Sequence, residues 1–138
     1  ITWLGGSLIP RLELDFVPGL ACAAHFVILA DEAPESIDDY IAAGMAVQRF
    51  WLTAASLDLA LQPEMTPLIF DNYVRKEIGF TTHPPSQRQA SKLSADLNSF
   101  LSPESTRTAV FMGRVGAGAP PGARSVRMSL DRLLVTGA

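Results

Sequence analysis

The arginines and glycines near the C-terminal end have the residue types of an anion site. Gly113-Arg-Val-Gly116 is followed by the Gly/Pro loop 116–122 and then by Arg124-Ser-Val-Arg127. Arginine forks match phosphate oxygens, and a glycine-rich loop lets backbone N–H groups approach them. The spacing predicts a phosphate site held by Arg124 and Arg127, with Arg114 as a third candidate. The alternative is a surface loop whose arginines pair with the acidic start of a helix.

The segment Gln62-Pro-Glu-Met65 is the second candidate for chemistry. Proline cannot continue a helix, so the helical pattern before it should end there and leave backbone amides without partners. Those amides could face a planar ligand, with Pro63, Glu64 and Met65 beside it. The alternative is a plain helix stop.

The remaining reactive side chains favour structural roles. Cys22 and His25 lie three residues apart in an apolar stretch, which indicates a small buried thiol and an ordinary histidine. His83 lies in a proline-rich loop, where we expect it to be exposed. One cysteine and two histidines are too few for a Cys/His zinc site, and the acidic residues at 31–39 suit a helix N-terminus. No catalytic side chain and no metal ligand is predicted.

Composition limits the class of protein. The 138 residues are enough for one domain, and 48% hydrophobic against 18% charged residues exclude a disordered chain. A net charge of −3 provides no basic field for nucleic acid. The longest apolar run, near residues 21–30, is about half of what a membrane span needs. We therefore expect a cytoplasmic protein that binds neither nucleic acid nor membrane.

Hydrophobic periodicity predicts the elements that must carry these residues. Residues 1–23 are punctuated by glycine and proline and form an irregular lead-in, and residues 24–138 form the folded domain. The apolar run at 24–30 is typical of a central strand covered on both faces. Ser36-Ile-Asp-Asp39 fits a capping box, and the helix that starts there should run to Pro63.

This long helix carries two apolar sectors on a 100° projection. The first holds Ile37, Ile41, Gly44, Gln48, Leu52, Ala55 and Leu59, and the second holds Ala43, Val47, Phe50, Ala54, Leu57 and Leu61. One small sheet cannot easily cover both sectors, so part of the helix should pack on another subunit or on a further domain. A monomer would leave several large apolar side chains of the second sector exposed to water and would lose the free energy of burying them. We therefore expect a homodimer through this helix.

The later elements complete an α+β fold. We expect a helix over 66–78 ended by Gly79, and a helix that starts at the capping pattern Ser86–Gln89 and runs to Leu101. A strand is predicted at 107–115, followed by a short final strand or an extended tail at 126–134. Together they predict a small, mainly antiparallel sheet packed on a long central helix, with two shorter helices.

Four segments resemble, in order and spacing, the C-terminal half of FMN-dependent proteins of the nitroreductase family. They are Ala43-Gly-Met-Ala-Val-Gln-Arg-Phe-Trp-Leu-Thr-Ala54, Leu59-Ala-Leu-Gln-Pro-Glu-Met-Thr-Pro67, Val110-Phe-Met-Gly-Arg-Val-Gly116 and Arg124-Ser-Val-Arg-Met-Ser-Leu130. The second and third look more like the nitroreductase-like region fused to ThiF-type adenylyltransferases than like a free-standing nitroreductase. The resemblance covers about residues 24–134.

The resemblance implies an FMN site at a subunit boundary and an NAD(P)H-linked oxidoreductase activity. It implies that Pro63, Glu64 and Met65 lie beside the isoalloxazine ring. It also implies that a C-terminal segment, here Arg124, Ser125 and Arg127 with Arg114 nearby, holds the FMN phosphate. The flavin would do the chemistry, so no acid or base side chain is required.

One part of the family pattern is missing from this sequence. Family members carry an Arg-Arg-Ser-x-Arg-type segment in their N-terminal helices, whereas the only arginine before the long helix here is Arg11. The chain therefore resembles half of a flavin fold. A missing N-terminal half or a fused adenylyltransferase-like domain would then be a further partner.

Three functional hypotheses follow from these patterns. The first is a nitroreductase-like FMN oxidoreductase domain, and the second is a non-catalytic dimerisation or regulatory module that keeps the fold without flavin. A third is the binding of an anion or nucleotide at the arginine loop without redox chemistry. Flavin absorbance of the purified protein, before and after FMN is added, separates the first from the second.

Overall fold

The computed structural model describes residues 12–119 together with Met128, Ser129 and Arg132. The elements in chain order are a π-helical turn at Leu12–Phe16, α1 (Val17–Ala21), β1 (Ala24–Leu29), α2 (Ile37–Ser56), β2 (Leu59–Pro63), α3 (Thr66–Arg75), α4 (Pro84–Leu101), α5 (Pro103–Thr108) and β3 (Ala109–Ala117). The fold is α+β, as predicted, and residues 12–21 of the expected irregular lead-in are helical. The strand predicted at 126–134 falls mostly outside the described residues.

The described sheet has three strands in the order β1-β3-β2, and both pairings with β3 are antiparallel. The prediction that residues 24–30 form a central strand is wrong, because β1 is an edge strand of this sheet and β3 occupies the centre. The run is not covered on both faces either, because three of the six residues of β1 are exposed and the other three are half-buried. In β1, Phe26 lies against Phe50 of α2, with ring centroids 4.5 Å apart.

Helix α2 begins where the sequence predicts and ends earlier. The Ser36 hydroxyl accepts the Asp39 N–H, and the Asp39 carboxylate accepts the Ser36 N–H, which confirms the capping box. The helix ends at Ser56, and Asp58 takes a left-handed conformation with φ 57°. Residues 59–63, predicted to be helical, instead form β2, since their pairing with β3 satisfies the backbone groups of both strands.

The two sectors of α2 have different surroundings. Phe50 packs on the sheet through Phe26, and Ala54 is the one helix residue that is fully buried. The second sector is covered only in part by the chain's own sheet, because Phe50 is 37% exposed and Leu57 is 65% exposed. The first sector is the more exposed of the two, with Ile37, Ile41 and Leu52 each more than half exposed.

Helices α3 and α4 pack together through a buried carboxylate. Asp71 in α3 is 1% exposed and accepts hydrogen bonds from Ser94 Oγ at 2.7 Å and Asn98 Nδ2 at 2.9 Å in α4. Helix α4 ends at Leu101, as predicted, but begins at Pro84 with His83 at its N-cap. The proline at the first helical position starts the helix two residues before the expected capping serine.

Among the residues that the structure describes, every helix is too short or too polar to cross a bilayer.

Candidate functional site

A row of polar side chains crosses the sheet on the face turned away from α2. His25 of β1 and Gln62 of β2 are both in register with Arg114 of the central strand. Side chains alternate between the two faces of a strand. Phe111 stacks with Phe26 on the α2 face, so Arg114, three positions further along, points to the opposite face. Three polar residues distant in sequence are thereby placed side by side.

Glu64 joins this row from the loop after β2. Its Oε1 lies 2.7 Å from Arg114 Nη1, and its Oε2 lies 2.9 Å from His25 Nδ1. The Glu64 backbone N–H donates to the Met112 carbonyl at 2.8 Å, and the Met112 N–H donates to the Met65 sulfur at 3.4 Å. Side chain and backbone together hold the loop 64–65 on β3. The side chain of Glu64 is 23% exposed and that of Arg114 is 16% exposed, so this pair is shielded in part from solvent.

Both ring nitrogens of His25 face acceptors. Nδ1 faces the Glu64 carboxylate, and Nε2 lies 3.0 Å from the Gly19 carbonyl oxygen. A neutral imidazole carries only one N–H, whereas the imidazolium can donate to both acceptors. Hydrogen bonding to the Gly19 carbonyl and then to Glu64 raises the pKa of His25 above its ordinary value of 6.5. This arrangement favours the protonated ring.

Cys22 lies at the end of this chain of contacts. Its sulfur is 3.2 Å from His25 Nε2 and 3.2 Å from the Gly19 carbonyl oxygen. The side chain of His25 is 47% exposed and Cys22 is half-buried, so the thiol is less buried than the sequence predicts. The spacing Cys-x-x-His carries no signal by itself. The carboxylate that contacts the His25 ring belongs to Glu64, which is 39 residues away in the sequence.

The residues predicted to form a site are found as follows. Arg114 lies in β3, Pro63 ends β2, and Glu64 and Met65 form the loop to α3. Arg114 and Glu64, placed in one site by the sequence analysis, form an ion pair. Arg124, Ser125 and Arg127 lie outside the described residues. Part of the hydrogen-bonding capacity of Arg114 is therefore used by the Glu64 carboxylate.

A cavity of about 750 Å³ lies between α2, α3 and the start of β3. Its walls are mainly apolar and include Val47, Leu68, Phe111 and Met65. Lys76, Arg107 and Glu35 also line it. Neither of these two cations forms an ion pair with another described residue, whereas the nearby Arg75 lies 3.4 Å from Asp71. The cavity combines an apolar interior with available positive charge. Sequence reasoning missed this combination because the walls come from four separate elements, α2, α3, α5 and β3, and from the loop before α2.

Within the described part of the chain, no group of three or more His, Cys, Asp or Glu side chains is arranged to hold a metal ion. No protein-family model, no curated protein and no solved structure matches the chain. Membership of the nitroreductase family therefore stays a prediction from the four sequence segments.

Proposed function

We propose that this chain is a nitroreductase-like, FMN-binding domain with NAD(P)H-linked oxidoreductase activity, completed by a second copy of the chain. The observation that carries the proposal is the 750 Å³ cavity with Met65 in its wall. Small-molecule sites are concave and mostly apolar, with a few polar groups that fix orientation, and range over about 300–1,000 Å³. The apolar walls suit a flat aromatic ring, and the cations suit a phosphate.

The residues of this chain would bind and orient the cofactor. FMN, when bound, supplies hydride transfer between a nicotinamide nucleotide and an acceptor. Met65 would contact the ring, and the Glu64–Arg114 ion pair would hold the loop that carries Met65 before the ligand arrives. A loop ordered in advance loses less entropy on binding. Pro63, at the end of β2, would restrict the same loop from its other side.

Two sets of cations are candidates for the phosphate. Arg124 and Arg127, with Ser125 between them, are proposed from the sequence pattern. Lys76 and Arg107 are proposed from the cavity lining. Glu35 lines the same cavity and would repel an anion, so the phosphate should lie on the side away from it. Mutagenesis of both sets decides between them.

The first test is FMN binding to the purified full chain, followed by flavin absorbance and fluorescence. Gly44 lines the cavity, and a Cβ built there meets no heavy atom within 4 Å. Gly44→Phe should therefore fill the cavity without forcing the helix backbone and weaken FMN binding at least tenfold. Ala42→Phe, on the same helix and not among the residues that line the cavity, is the matched control and should bind like wild type. A wild-type chain that takes up no FMN would overturn the proposal.

The second test locates the phosphate. Charge-assisted hydrogen bonds contribute about 1.5–3 kcal/mol each, so loss of a phosphate ligand should weaken FMN about tenfold or more. Arg124→Ala and Arg127→Ala are compared with Lys76→Ala and Arg107→Ala by titration. The set whose loss weakens FMN binds the phosphate. Unchanged affinity in all four variants would contradict a phosphate site in this chain.

The second copy is proposed from the exposed sector of α2. Ile37, Ile41, Met45 and Leu52 are 55–78% exposed, and they lie on one side of the helix. Contiguous exposed apolar surface marks interaction sites, and two-fold packing of one face on itself is the commonest arrangement. Such a dimer would place the flavin sites near the subunit boundary.

Light scattering tests the dimer. Leu52→Asp should give a monomer, because a dimer would bury an unpaired charge. Ala46→Asp, an exposed position outside this sector, should leave the dimer intact. A wild-type monomer at micromolar concentration would contradict the dimer. In that case a missing N-terminal half or a fused adenylyltransferase-like domain would be the proposed cover for this sector.

A non-catalytic dimerisation or regulatory module is the second candidate function. The pairing of Arg114 with Glu64 favours it, since a cation expected near the phosphate is already neutralised. A chain that dimerises through α2 and takes up no FMN would establish this alternative.

A further inference from the structure

Cys22 and His25 form a reactive pair that the flavin proposal does not use. The sulfur of Cys22 lies 3.2 Å from His25 Nε2, and His25 Nδ1 lies 2.9 Å from Glu64 Oε2. Glu64 is in turn held by Arg114 at 2.7 Å. A nucleophile, a titratable ring and an orienting carboxylate are thus in continuous contact, as nucleophilic sites require. We propose that Cys22 is a hydroperoxide-reactive thiol and that His25 gives the proton to the departing oxygen.

The Cys22 Sγ–H donates to the Gly19 carbonyl oxygen at 3.2 Å, so the thiolate forms only after that proton has left. The orientation of the His25 ring supports the assignment. Glu64 accepts from Nδ1–H, so the ring keeps a fixed orientation with Nε2 towards the sulfur. The Gly19 carbonyl accepts a proton on Nε2, which favours the imidazolium. An imidazolium beside a sulfur stabilises the thiolate, which is the nucleophilic form of cysteine. The same nitrogen then carries a proton close to the reacting atom.

The surrounding backbone argues for peroxide rather than acyl chemistry. The Cys22 N–H donates to the Pro18 carbonyl at 3.1 Å, and the Ala23 N–H donates to the Val115 carbonyl at 3.0 Å. Acyl transfer needs unoccupied donors to stabilise an oxyanion, and the Cys22 and Ala23 amides both donate to backbone carbonyls. Displacement at a peroxide oxygen needs only a nucleophile and a proton donor.

The reaction balances with groups on this chain and one hydroperoxide. The thiolate attacks one peroxide oxygen, an S–O bond forms, and the O–O bond breaks. The departing oxygen takes the proton from His25 Nε2, which leaves neutral imidazole and water when the oxidant is hydrogen peroxide. The sulfur is oxidised to sulfenic acid and the peroxide is reduced.

The position is accessible to a small oxidant. His25 is 47% exposed in its side chain, and Cys22 is half-buried at the C-terminal end of α1. The sequence holds one cysteine, so the sulfenic acid has no second cysteine within it for an internal disulfide. Return to the thiol would require an external thiol of low molecular mass or one on another protein.

The test is sulfenic acid formation in the full chain exposed to hydrogen peroxide, trapped with dimedone and located by mass spectrometry. The adduct should lie on Cys22, at a rate at least tenfold above that of glutathione at the same pH. His25→Asn should lower the rate to that of glutathione. His83→Asn is the matched control and should not change it, because that exposed histidine contacts a hydroxyl, Ser86 Oγ at 3.0 Å.

A second measurement separates a positioning role of Glu64 from a structural one. The rate should fall as pH rises through the pKa of His25, because the proton donor is lost. Glu64→Gln removes one cause of that raised pKa, so the fall should move to lower pH while circular dichroism stays that of wild type. A wild-type rate equal to that of glutathione overturns the proposal. So does an unchanged rate in a folded His25→Asn variant; if that variant does not fold, the comparison of wild type with glutathione decides.

Discussion

Two carboxylates organise two regions of this molecule in different ways. Asp71, between α3 and α4, is 1% exposed and is surrounded by donors from Ser94, Asn98 and Arg75. Glu64, on the open face of the sheet, is held by Arg114 and His25. The donors of the first network are hydroxyl, amide and guanidinium groups, which keep their protons at neutral pH. The second includes a histidine, whose ring gains or loses a proton as pH passes through its raised pKa.

The difference separates a structural network from a reactive one. Burial makes Asp71 costly to leave without partners, and its partners come from neighbouring helices that pack anyway. The Glu64 network remains in part open to solvent and ends on a thiol. A carboxylate that gathers donors therefore stabilises a helix pair in one place and orients a titratable ring in the other.

The largest effect is expected at Asp71. Asp71→Ala leaves the buried Ser94 hydroxyl and the Asn98 amide without their acceptor, and removal of one partner from a buried charged network costs about 3–5 kcal/mol. Urea unfolding measures this loss. Asp96→Ala is the matched control, because its exposed i,i+4 pair with Lys92 should contribute less than about 1 kcal/mol. Equal losses of unfolding free energy in Asp71→Ala and Asp96→Ala would contradict a special structural role for Asp71.

A smaller loss is expected at Glu64. Glu64→Gln removes the charge from two contacts that are in part exposed, so we expect a loss of about 1–2 kcal/mol in the free energy of unfolding. The same urea titration measures it. If Glu64→Gln lost as much unfolding free energy as Asp71→Ala, the Glu64 network would be structural too. The contrast between the two carboxylates would then be wrong.

Stability should also depend on pH through His25. Its pKa is raised in the folded chain, first by the Gly19 carbonyl and then by Glu64, so the folded state holds its proton more tightly than the unfolded state. This contribution is fully present below pH 6.5, the ordinary value, and is lost as pH rises through the folded pKa. Thermal melts across this range should show the decline in wild type. His25→Asn should flatten the profile in this interval.

The smallest effect is expected at the exposed helix cap. Hydrogen bonds from the Ser36 and Glu35 backbone and from the Ser36 side chain lower the pKa of Asp39. Its contribution is present above the ordinary value of 3.8 and is lost as pH falls through the folded pKa. Asp39→Asn should weaken this acid dependence in thermal melts, and an acid dependence unchanged from wild type would contradict it.

Local signals in the sequence predicted the features whose physics is local. The capping box at Ser36 and Asp39 was predictable because its two hydrogen bonds join residues three apart. The end of α4 at Leu101 and the α+β class followed from apolar periodicity. The family resemblance predicted that Glu64 and Arg114 belong to one site. It did not predict that they form an ion pair.

Tertiary structure decided the features that depend on distant partners. Residues 59–63 read as helix by pattern, and they form a strand because β3, some fifty residues further along the chain, supplies their hydrogen bonds. Cys22 and His25 become a candidate reactive pair only because the fold brings Glu64 to 2.9 Å from the His25 ring. The cavity beside α2 likewise requires α2, α3, α5 and β3 to meet. Periodicity and capping depend on residues that are close in the sequence. Strand order, ion pairs and cavities arise only when the folded chain brings remote residues together.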